Sequence, residues 1–552
     1  MLATQWGNIH CALRRSAAKT VKDSEIVMDR DPPLASSGTS RLVPILLPSI
    51  GNILFVSIFL VLVFGAGNGL LNDGDTGYHI RTGEEILENW RIPTHDVYSA
   101  HVPPLRWTAH EWLSEVIMAG LFKTFGLTGL VIFFALLLSA THWLLFIILR
   151  ARSDNLILVA IITLLATASS SIHWLARPHV FSLSFTLVWY YLLDRFQYQS
   201  HGSLRFLPFL MLVWVNIHGG FIFGLLLLFL YLGGNVLYSF NGPPQEREDS
   251  RKKTGVLIRV SIITLLTCLI NPFGYEILLF PFKLASDRFV MDHVTEFMSP
   301  NFHDVLAFKY MLLATLGTLA LSRTPLSLLQ VGLLLLVSYM ALYSARHVAL
   351  FAIVVSPLLL RTSENVFKQF PDPLIKFFQT RNQNLMKIDR SVVGYLWPSG
   401  TVICVLTLAL AGNVQFTFDD KRFPVAAAEF LNRENLSGTM FNNDEFGDYF
   451  IYRLWPKYRV FMDGRSDMYS EKLGSAYLKV ANVQPGWKEV LASHRVSWVI
   501  FDTNSALTAA LADDIEWQPI YSDKVATIFV NRASANQALL AKYSGATIHS
   551  RK

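Results

Sequence analysis

Apolar and polar residues alternate along this chain in long blocks. Apolar stretches near the roughly 20 residues that a helix needs to cross a bilayer recur at about 43–66, 126–149, 154–173, 178–197, 204–219, 220–240, 255–272, 305–322, 325–344, 347–362 and 393–413. Residues 111–125 (EWLSEVIMAGLFKTF) are amphipathic and too short to span alone, so they extend the second span or lie along the interface. Beyond residue 414 the apolar runs shorten and alternate with turn signals. VSWVIFD (496–502), ATIFVN (526–531) and YRVFMDG (458–464) read as strands, and 424–432 and 505–512 as short helices. The pattern predicts an α-helical polytopic membrane protein of about eleven spans with a small C-terminal α/β domain. Its expected parts are a disordered tail (1–42), a membrane domain (43–413) with a first outer loop (67–112), an outer α/β domain (414–535) and a flexible tail (536–552).

Composition points the same way. The 552 residues are 52% hydrophobic and 16% charged, with mean hydropathy +0.37, whereas soluble domains are about a quarter charged. A net charge of +6 is not a nucleic-acid signal here, because the basic residues fall mostly in short loops between spans. Those loops carry Arg150 and Arg152, Arg195 and Arg205, Arg247 to Lys253, Arg323, and Arg361 to Arg390. They alternate consistently and share a side with the basic N-terminal tail, which makes that side cytoplasmic. The first outer loop and the C-terminal domain then face the periplasm or exterior. The tail lacks an apolar stretch followed by a cleavage site, so no cleaved signal peptide is expected, and Met28 is an alternative start. Cys11, Cys268 and Cys404 are placed so that no disulfide is expected.

Ionisable side chains near a bilayer are costly and mark function by default. Here they collect on the outer side. The first outer loop holds Asp73, Asp75, His79, Glu84, Glu85, His95, Asp96, His110, Glu111 and Glu115. Outer helix ends add IHWLARPH (172–179), NIHGG (216–220), NPFGYE (271–276), VTEFMSPNFHD (294–304) and SARH (344–347). These supply His173, Arg177, His179, Asn216, His218, Glu276, Glu296, His303, Arg346 and His347. Two carboxylates one residue apart, Asp73 and Asp75, suit a general base or oxygen ligands for a possible divalent cation. They equally suit a helix cap. Arg177 and Arg346 offer planar donor forks for phosphate, and the neighbouring histidines add donors or steady a leaving group. An acid pair facing cationic anchors fits a reaction in which a lipid phosphate leaves and a hydroxyl attacks. FNNDEFGDY (441–449) and FMDGRSDMY (461–469) resemble sites, but turn chemistry accounts for them, with acceptor recognition as the alternative. No phosphate-cradling GxxxxGK[ST], paired CxxC, HExxH or GxSxG motif is present.

A long acidic first outer loop carrying DGD, then about ten further spans and a soluble C-terminal domain, resembles the GT-C superfamily of membrane glycosyltransferases. The likeness is to bacterial relatives of the dolichyl-phosphate-mannose protein mannosyltransferases and the lipid A aminoarabinose transferase, and it covers residues 43–530. Its carriers are DGDTGYHIRTGEEIL, IPTHDVYS, HEWLSE, RPH, NIHGGF, EFMSPNF and FMDGRSDMY. The resemblance implies a bacterial inner-membrane enzyme. It implies inverting transfer from a polyprenyl-phosphate-sugar donor to a lipid, glycan or protein acceptor on the outer face. It places the catalytic aspartate on Asp75 or Asp73, with Asp75 favoured because it leads into TGYHI, and phosphate binding on Arg177 or Arg346. His79, His110, Glu111, His179, Asn216, His218, Glu296 and His347 are the expected substrate-binding neighbours. Two rival readings are a transporter or flippase of lipid-linked glycans and a non-catalytic scaffold in envelope polysaccharide assembly. Against the first, the polar residues cluster at one surface rather than mid-membrane, and the one faint internal echo is ARPHVF (176–181) against ARHVALF (345–351).

Overall fold

The computed structural model describes residues 46–546 apart from 200, 201, 305, 391 and 393. The expected tail 1–42, with Cys11 and Met28, lies outside the described residues. The chain enters through α1 (Ile50–Leu60), whose cap Ser49 accepts the Asn52 N–H at 3.1 Å, and continues through the turn Val61–Gly65. There follow α2 (Asp75–Asn89), α3 (Trp112–Arg150), α4 (Leu156–Ser170), α5 (His179–Tyr198), α6 (Leu207–Ile217), α7 (Phe221–Asn241) and α8 (Pro244–Cys268). The short helices α9 (Glu276–Ser286) and α10 (Arg288–His293) lead to α11 (Ala307–Ser322), α12 (Leu328–Tyr343), α13 (Val348–Phe367), α14 (Asp372–Arg390) and α15 (Leu396–Leu410).

Each apolar segment of the sequence contains a helix. Among the described residues four helices are long and apolar enough to cross a membrane: Trp112–Arg150, Leu156–His173, Phe221–Asn241 and Ala345–Phe367. Five more, Ile50–Gly65, Leu207–Ile217, Ala307–Ser322, Leu328–Tyr343 and Leu396–Leu410, are apolar but shorter. Local chemistry sets several ends. The chain leaves α6 at His218-Gly219-Gly220, and α12 starts at Ser327 with a capping box closed by Gln330. The amphipathic stretch 111–125 joins the second span within α3, and the break comes at Gly126. A φ of 64° there suits a residue without Cβ. The basic loop around 372–390 is itself a helix, α14.

The two membrane-side faces can be assigned from contacts. Asn382 of α14 donates to the Asp154 carbonyl just before α4, and Asp389 accepts the Ile50 N–H at the start of α1. The starts of α1 and α4 and the whole of α14 therefore share one face. The far end of α4, with His173, lies at the other face, which also carries the first loop.

Residues beyond 414 form the small mixed domain. It contains α16 (Val425–Arg433), β1 (Thr439–Asn442), α17 (Asp444–Leu454), α18 (Glu471–Ala481), α19 (Trp487–Ser493), β2 (Val496–Asp502), α20 (Ala506–Ala512), β3 (Trp517–Ser522), β4 (Ala526–Asn531) and α21 (Gln537–Lys542). The sheet order is β1-β2-β4-β3, with β1 parallel to β2 and the other pairs antiparallel. Alternate residues of β2 enter two different cores. Trp498 and Ile500 pack with the membrane-side core, while Val499 and Phe501 pack with Tyr477, Leu491 and Leu507. Helices thus cover both sheet faces, which is why β2 reads as a continuous apolar run.

Two expectations change here. Residues 458–464, read as a strand, do not join the sheet. Val460 instead exchanges backbone hydrogen bonds with the first loop, its N–H donating to Tyr98 at 3.0 Å and its carbonyl accepting from Ala100 at 2.9 Å. The extended propensity is satisfied across the domain boundary. The expected flexible tail is also shorter, because α21 buries Leu540 and its carbonyl accepts from Gln518 at 2.8 Å.

Helix α2 lies against the first turns of α3, with Gly83 at the crossing. A Cβ at Gly83 would sit 1.9 Å from the Glu115 carbonyl oxygen and 2.7 Å from the Ala119 Cβ, whereas one at Gly120 meets nothing within 4 Å. Overpacking of this kind costs about 1–3 kcal/mol. Gly83→Ala should therefore lower the melting temperature of the purified protein, while Gly120→Ala should leave it unchanged or raise it. Equal melting of the two variants contradicts the close crossing.

Candidate functional site

Between the outer helix ends and the C-terminal domain lies a cavity of about 790 Å³. Its lining is part polar and part apolar. Asp73, Asp75, His110, Glu111, Arg177, His179, His218, Glu296, Arg346 and His347 all line it, together with His173. The apolar part includes Leu183, Ile222, Phe223, Phe280, Leu284 and Leu350.

Asp73 and Asp75 stand at the start of α2 and do two jobs. Asp73 Oδ1 accepts the Asp75 N–H at 2.9 Å, which closes an Asx turn ahead of the helix, whose N-cap is Gly74 and carries no side-chain cap. Asp73 Oδ2 meets Arg177 Nη1 at 2.6 Å, while Arg177 Nη2 meets Asp75 Oδ2 at 2.6 Å. The third partner of Arg177 is Glu296, through the same Nη1. Glu296 in turn meets Arg346 Nη2 at 3.3 Å, and the Arg346 guanidinium lies 4.5 Å from the centre of the Phe297 ring. Two backbone ties hold these turns together: Ser344 Oγ donates to the Glu296 carbonyl and the Ala345 N–H to that of Met298, both at 2.9 Å. Burial opposes ionisation of Glu296, yet Arg177 and Arg346 together hold its carboxyl well below the usual range.

The C-terminal domain completes this corner. Asp448 of α17 hydrogen-bonds the Asp75 side chain. The Gly464 N–H donates to both Asp448 oxygens at 3.0 Å. Gly464 is required by space, since a Cβ there would lie 2.3 Å from Asp75 Oδ1 and 2.8 Å from Asp448 Oδ2. Burial raises the Asp75 carboxyl well above its usual range against the pull of Arg177, and burial followed by the charge of Asp75 raises Asp448. Two such carboxyls in contact share one proton, because both cannot ionise at that separation.

Arg465 fastens the neighbouring segment. It is 2% exposed. Its Nη2 meets Asp463 at 2.7 Å and Asp96 at 2.8 Å, and its guanidinium sits 4.7 Å from the Trp107 ring centre and 4.9 Å from that of Tyr98. Asp463 and Arg465 belong to the C-terminal domain, while Asp96, Tyr98 and Trp107 belong to the first loop. One buried cation therefore locks the two together.

A second polar chain starts at Glu111. His218 Nδ1 accepts from the Gly220 N–H and the Ser182 hydroxyl, both at 2.8 Å. Ser182 is available as that donor because its oxygen already accepts from the Trp214 indole at 2.7 Å. The His218 proton must then sit on Nε2, which faces Glu111 Oε1 at 3.3 Å. The other Glu111 oxygen faces His79 Nε2 at 3.7 Å, and His79 Nδ1 reaches Glu115 at 3.1 Å. Burial lowers His79, His110 and His218, leaving them neutral, and lifts Glu111 to about 7. When ionised, Glu111 accepts from His218. When protonated, it presents a donor toward the unpartnered Nε2 of His79.

Two expected site residues stand apart from the cavity. His79 is fully buried beneath it and acts through Glu111 and Glu115. Asn216 accepts from the Trp112 indole at 3.0 Å and donates to the carbonyls of Leu212 and Ile270, so it braces helix ends. Outside the cavity, Glu276 pairs with the exposed Arg106, and His303 is exposed. The residues least expected as direct site members were Asp448, Asp463, Gly464 and Arg465, which sit in motifs whose Gly and Asp content turn chemistry already explained. The paired DG and GD steps beside aromatics were the available signal. Among the described residues no three His, Cys, Asp or Glu side chains are disposed to hold a metal ion. Asp73 and Asp75 converge on the Arg177 guanidinium.

No protein-family model matches the chain, and no curated protein matches it. Among solved structures it is similar to the archaeal oligosaccharyltransferase AglB from Archaeoglobus fulgidus, in complex with an inhibitory peptide and a dolichol-phosphate. The identity is 10% and the TM-score 0.49, over 85% of this chain and 72% of that one.

The elevated Glu111 has a measurable consequence. An acid whose value rises on folding takes up a proton, so the stability it contributes is complete below about pH 4.5 and is lost as pH rises through about 7. Glu111→Gln removes that dependence. Melting temperatures of the two proteins should differ least at and below about pH 4.5, draw apart as pH rises from about 4.5 to about 7 and keep a constant separation above that, with the variant gaining at most on the order of 3 kcal/mol. Parallel curves across that window refute the assignment.

Proposed function

We propose that the protein is an inverting glycosyltransferase that moves a sugar from a polyprenyl-phosphate donor to a lipid, glycan or protein hydroxyl within this cavity. The observation that carries the reading is one continuous chain of charges, Asp448–Asp75–Arg177–Glu296–Arg346, in a cavity that also has apolar lining. A raised carboxyl at one end suits proton removal, and a guanidinium at the other suits an anion. The apolar lining suits a lipid chain.

In this reading the donor lies with its isoprenoid chain along Leu183, Ile222, Phe280 and Leu350 and its phosphate toward Arg346, His173, His179 and His347. The acceptor oxygen attacks the anomeric carbon from the face opposite the phosphate. A new C–O bond forms as the C–O bond to phosphate breaks, and the electron pair stays on the departing phosphate oxygen. The acceptor proton passes to Asp75 in the ionised state of the Asp75–Asp448 pair. Arg177 takes a different part from the phosphate binding that its residue type suggested. Its Nη groups are occupied by Asp73, Asp75 and Glu296, so it holds the base in place and leaves the phosphate to Arg346. Glu111, with His218 and His110, faces the sugar or acceptor hydroxyls. In this reading the apolar helices of residues 43–413 cross the inner membrane, with the cavity and C-terminal domain on the outer side, the orientation that the lysine and arginine distribution favours.

The test is transfer in proteoliposomes supplied with a panel of polyprenyl-phosphate sugars. Asp75→Asn should lower turnover by about 10²–10⁴-fold, the usual contribution of a general base, while the protein still melts cooperatively. Arg346→Gln should raise KM for the donor. Transfer at the parental rate by the Asp73→Asn, Asp75→Asn double variant sinks the proposal.

A further inference from the structure

The face opposite the cavity carries a feature that the reaction does not use. Helix α14 (Asp372–Arg390) has no buried residue, although it is 19 residues long and rich in large apolar side chains. It is nevertheless fixed in its roll about its own axis. Asn382 donates to the Asp154 carbonyl at 2.7 Å, and Asp389 accepts the Ile50 N–H at 2.8 Å. Met386 packs against the core, and Phe378 meets Phe367 of α13 with ring centres 5.8 Å apart. Residues 375, 382, 386 and 389 recur at helical spacing and make one narrow face turned to the protein.

That fixed roll determines where the rest points. Leu374, Phe377, Phe378 and Leu385 form a second stripe at helical spacing, 41%, 55%, 37% and 39% exposed. Lys376, Gln379, Gln383 and Lys387 lie on the side away from it. Among the described residues neither lysine has an ion-pair partner. Arg381 falls within the apolar stripe, and its guanidinium lies over the Phe377 ring at 5.5 Å, so its stem covers apolar surface while its charge reaches outward.

A protein, a second copy of this chain or the membrane could cover such a stripe, and three observations favour the membrane. Both chain ends of α14 lead into apolar helices, α13 and α15. The next of these, α15, itself exposes apolar surface, with Leu396 and Ile403 52% and 63% exposed. At the same level, the half-exposed Trp397 donates its indole N–H to the Leu46 carbonyl at 2.7 Å, a placement typical of the headgroup layer. The distance fits as well: α4 starts at this face and reaches His173 at the cavity face after 18 residues, roughly 27 Å of helix and close to a hydrocarbon thickness.

We propose that α14 is an interfacial anchor. Its apolar stripe lies at the headgroup–acyl boundary of the leaflet opposite the cavity, and Lys376, Arg381 and Lys387 bind anionic phospholipid headgroups. This holds whatever reaction the cavity performs.

The test uses the full-length protein in nanodiscs of phosphatidylcholine, alone or mixed equally with phosphatidylglycerol. Single nitroxide labels are placed by Leu385→Cys or Lys387→Cys, with the native cysteines replaced by alanine. Oxygen should relax the label at 385 several-fold more than a water-soluble nickel complex does, and the order should reverse at 387. In the mixed discs, native mass spectrometry should show phosphatidylglycerol retained over phosphatidylcholine. That preference should fall about fivefold for each charge removed in the series Lys376→Gln, Arg381→Gln, Lys387→Gln. A label at 385 shielded from both reagents places a protein on the stripe and overturns the proposal. Nickel access exceeding oxygen access there places the stripe in water and does the same. Undiminished phosphatidylglycerol retention in the triple variant overturns the headgroup contacts.

Discussion

The Arg177 side chain is 11% exposed, and its cation would be untenable there alone. Withdrawing a charge from water costs several kcal/mol unless partners replace the lost solvation. Asp73 and Asp75 supply two of those partners from the first loop, and Glu296 supplies a third from a loop more than a hundred residues away. The three carboxylates come from two stretches of backbone, the Asp73–Asp75 turn and the loop of Glu296, and Arg177 comes from a third. The cavity wall is therefore defined by charge compensation. Its geometry follows from the need to bring three carboxylates onto one planar fork.

The same logic extends outward through contacts that ordinary packing does not require. Glu296 shares its second oxygen with Arg346, and so carries the network to the helix end that begins α13. On the other side, Asp448 approaches Asp75 because Gly464 leaves room and its N–H holds the carboxylate. A second cation, the buried Arg465, does for the domain boundary what Arg177 does for the cavity. It joins Asp463 of the C-terminal domain to Asp96 of the first loop, inside a cage of aromatic rings. The backbone pairing of Val460 with residues 98–100 adds a directional seam. The C-terminal domain is thus part of the site wall.

Much of this was legible in the residues alone. Apolar block length shows where membrane helices lie, because hydrophobic length is a local property. Two of the four strands and two of the domain's helices were visible as alternating or helical patterns. The outer clustering of His, Arg and carboxylates also pointed to one polar cavity, since ten of the twelve nominated residues line it. Asn216 and His79 were misplaced for one reason: sequence shows that a polar residue stands at a helix end, but not whether its hydrogen bonds turn inward to neighbouring backbone or outward to a cavity. Helix α14 was hidden in a stretch read only as a basic loop, because its apolar stripe is interrupted by lysines and glutamines.

What the sequence by itself determined is the class of protein, the approximate position of each apolar helix, and the chemical kinds of group available on one side. These follow from composition and from periodicities of a few residues. Partnership was decided by tertiary structure alone. Whether Arg177 receives a ligand or is consumed by Asp73, Asp75 and Glu296 depends on distances between atoms separated by over a hundred positions in the chain. The same is true of Asp448, whose segment reads as an ordinary turn and helix start until folding brings it against Asp75. In a charge-dense cavity a carboxyl takes its proton affinity from its neighbours, and those neighbours are set by the fold.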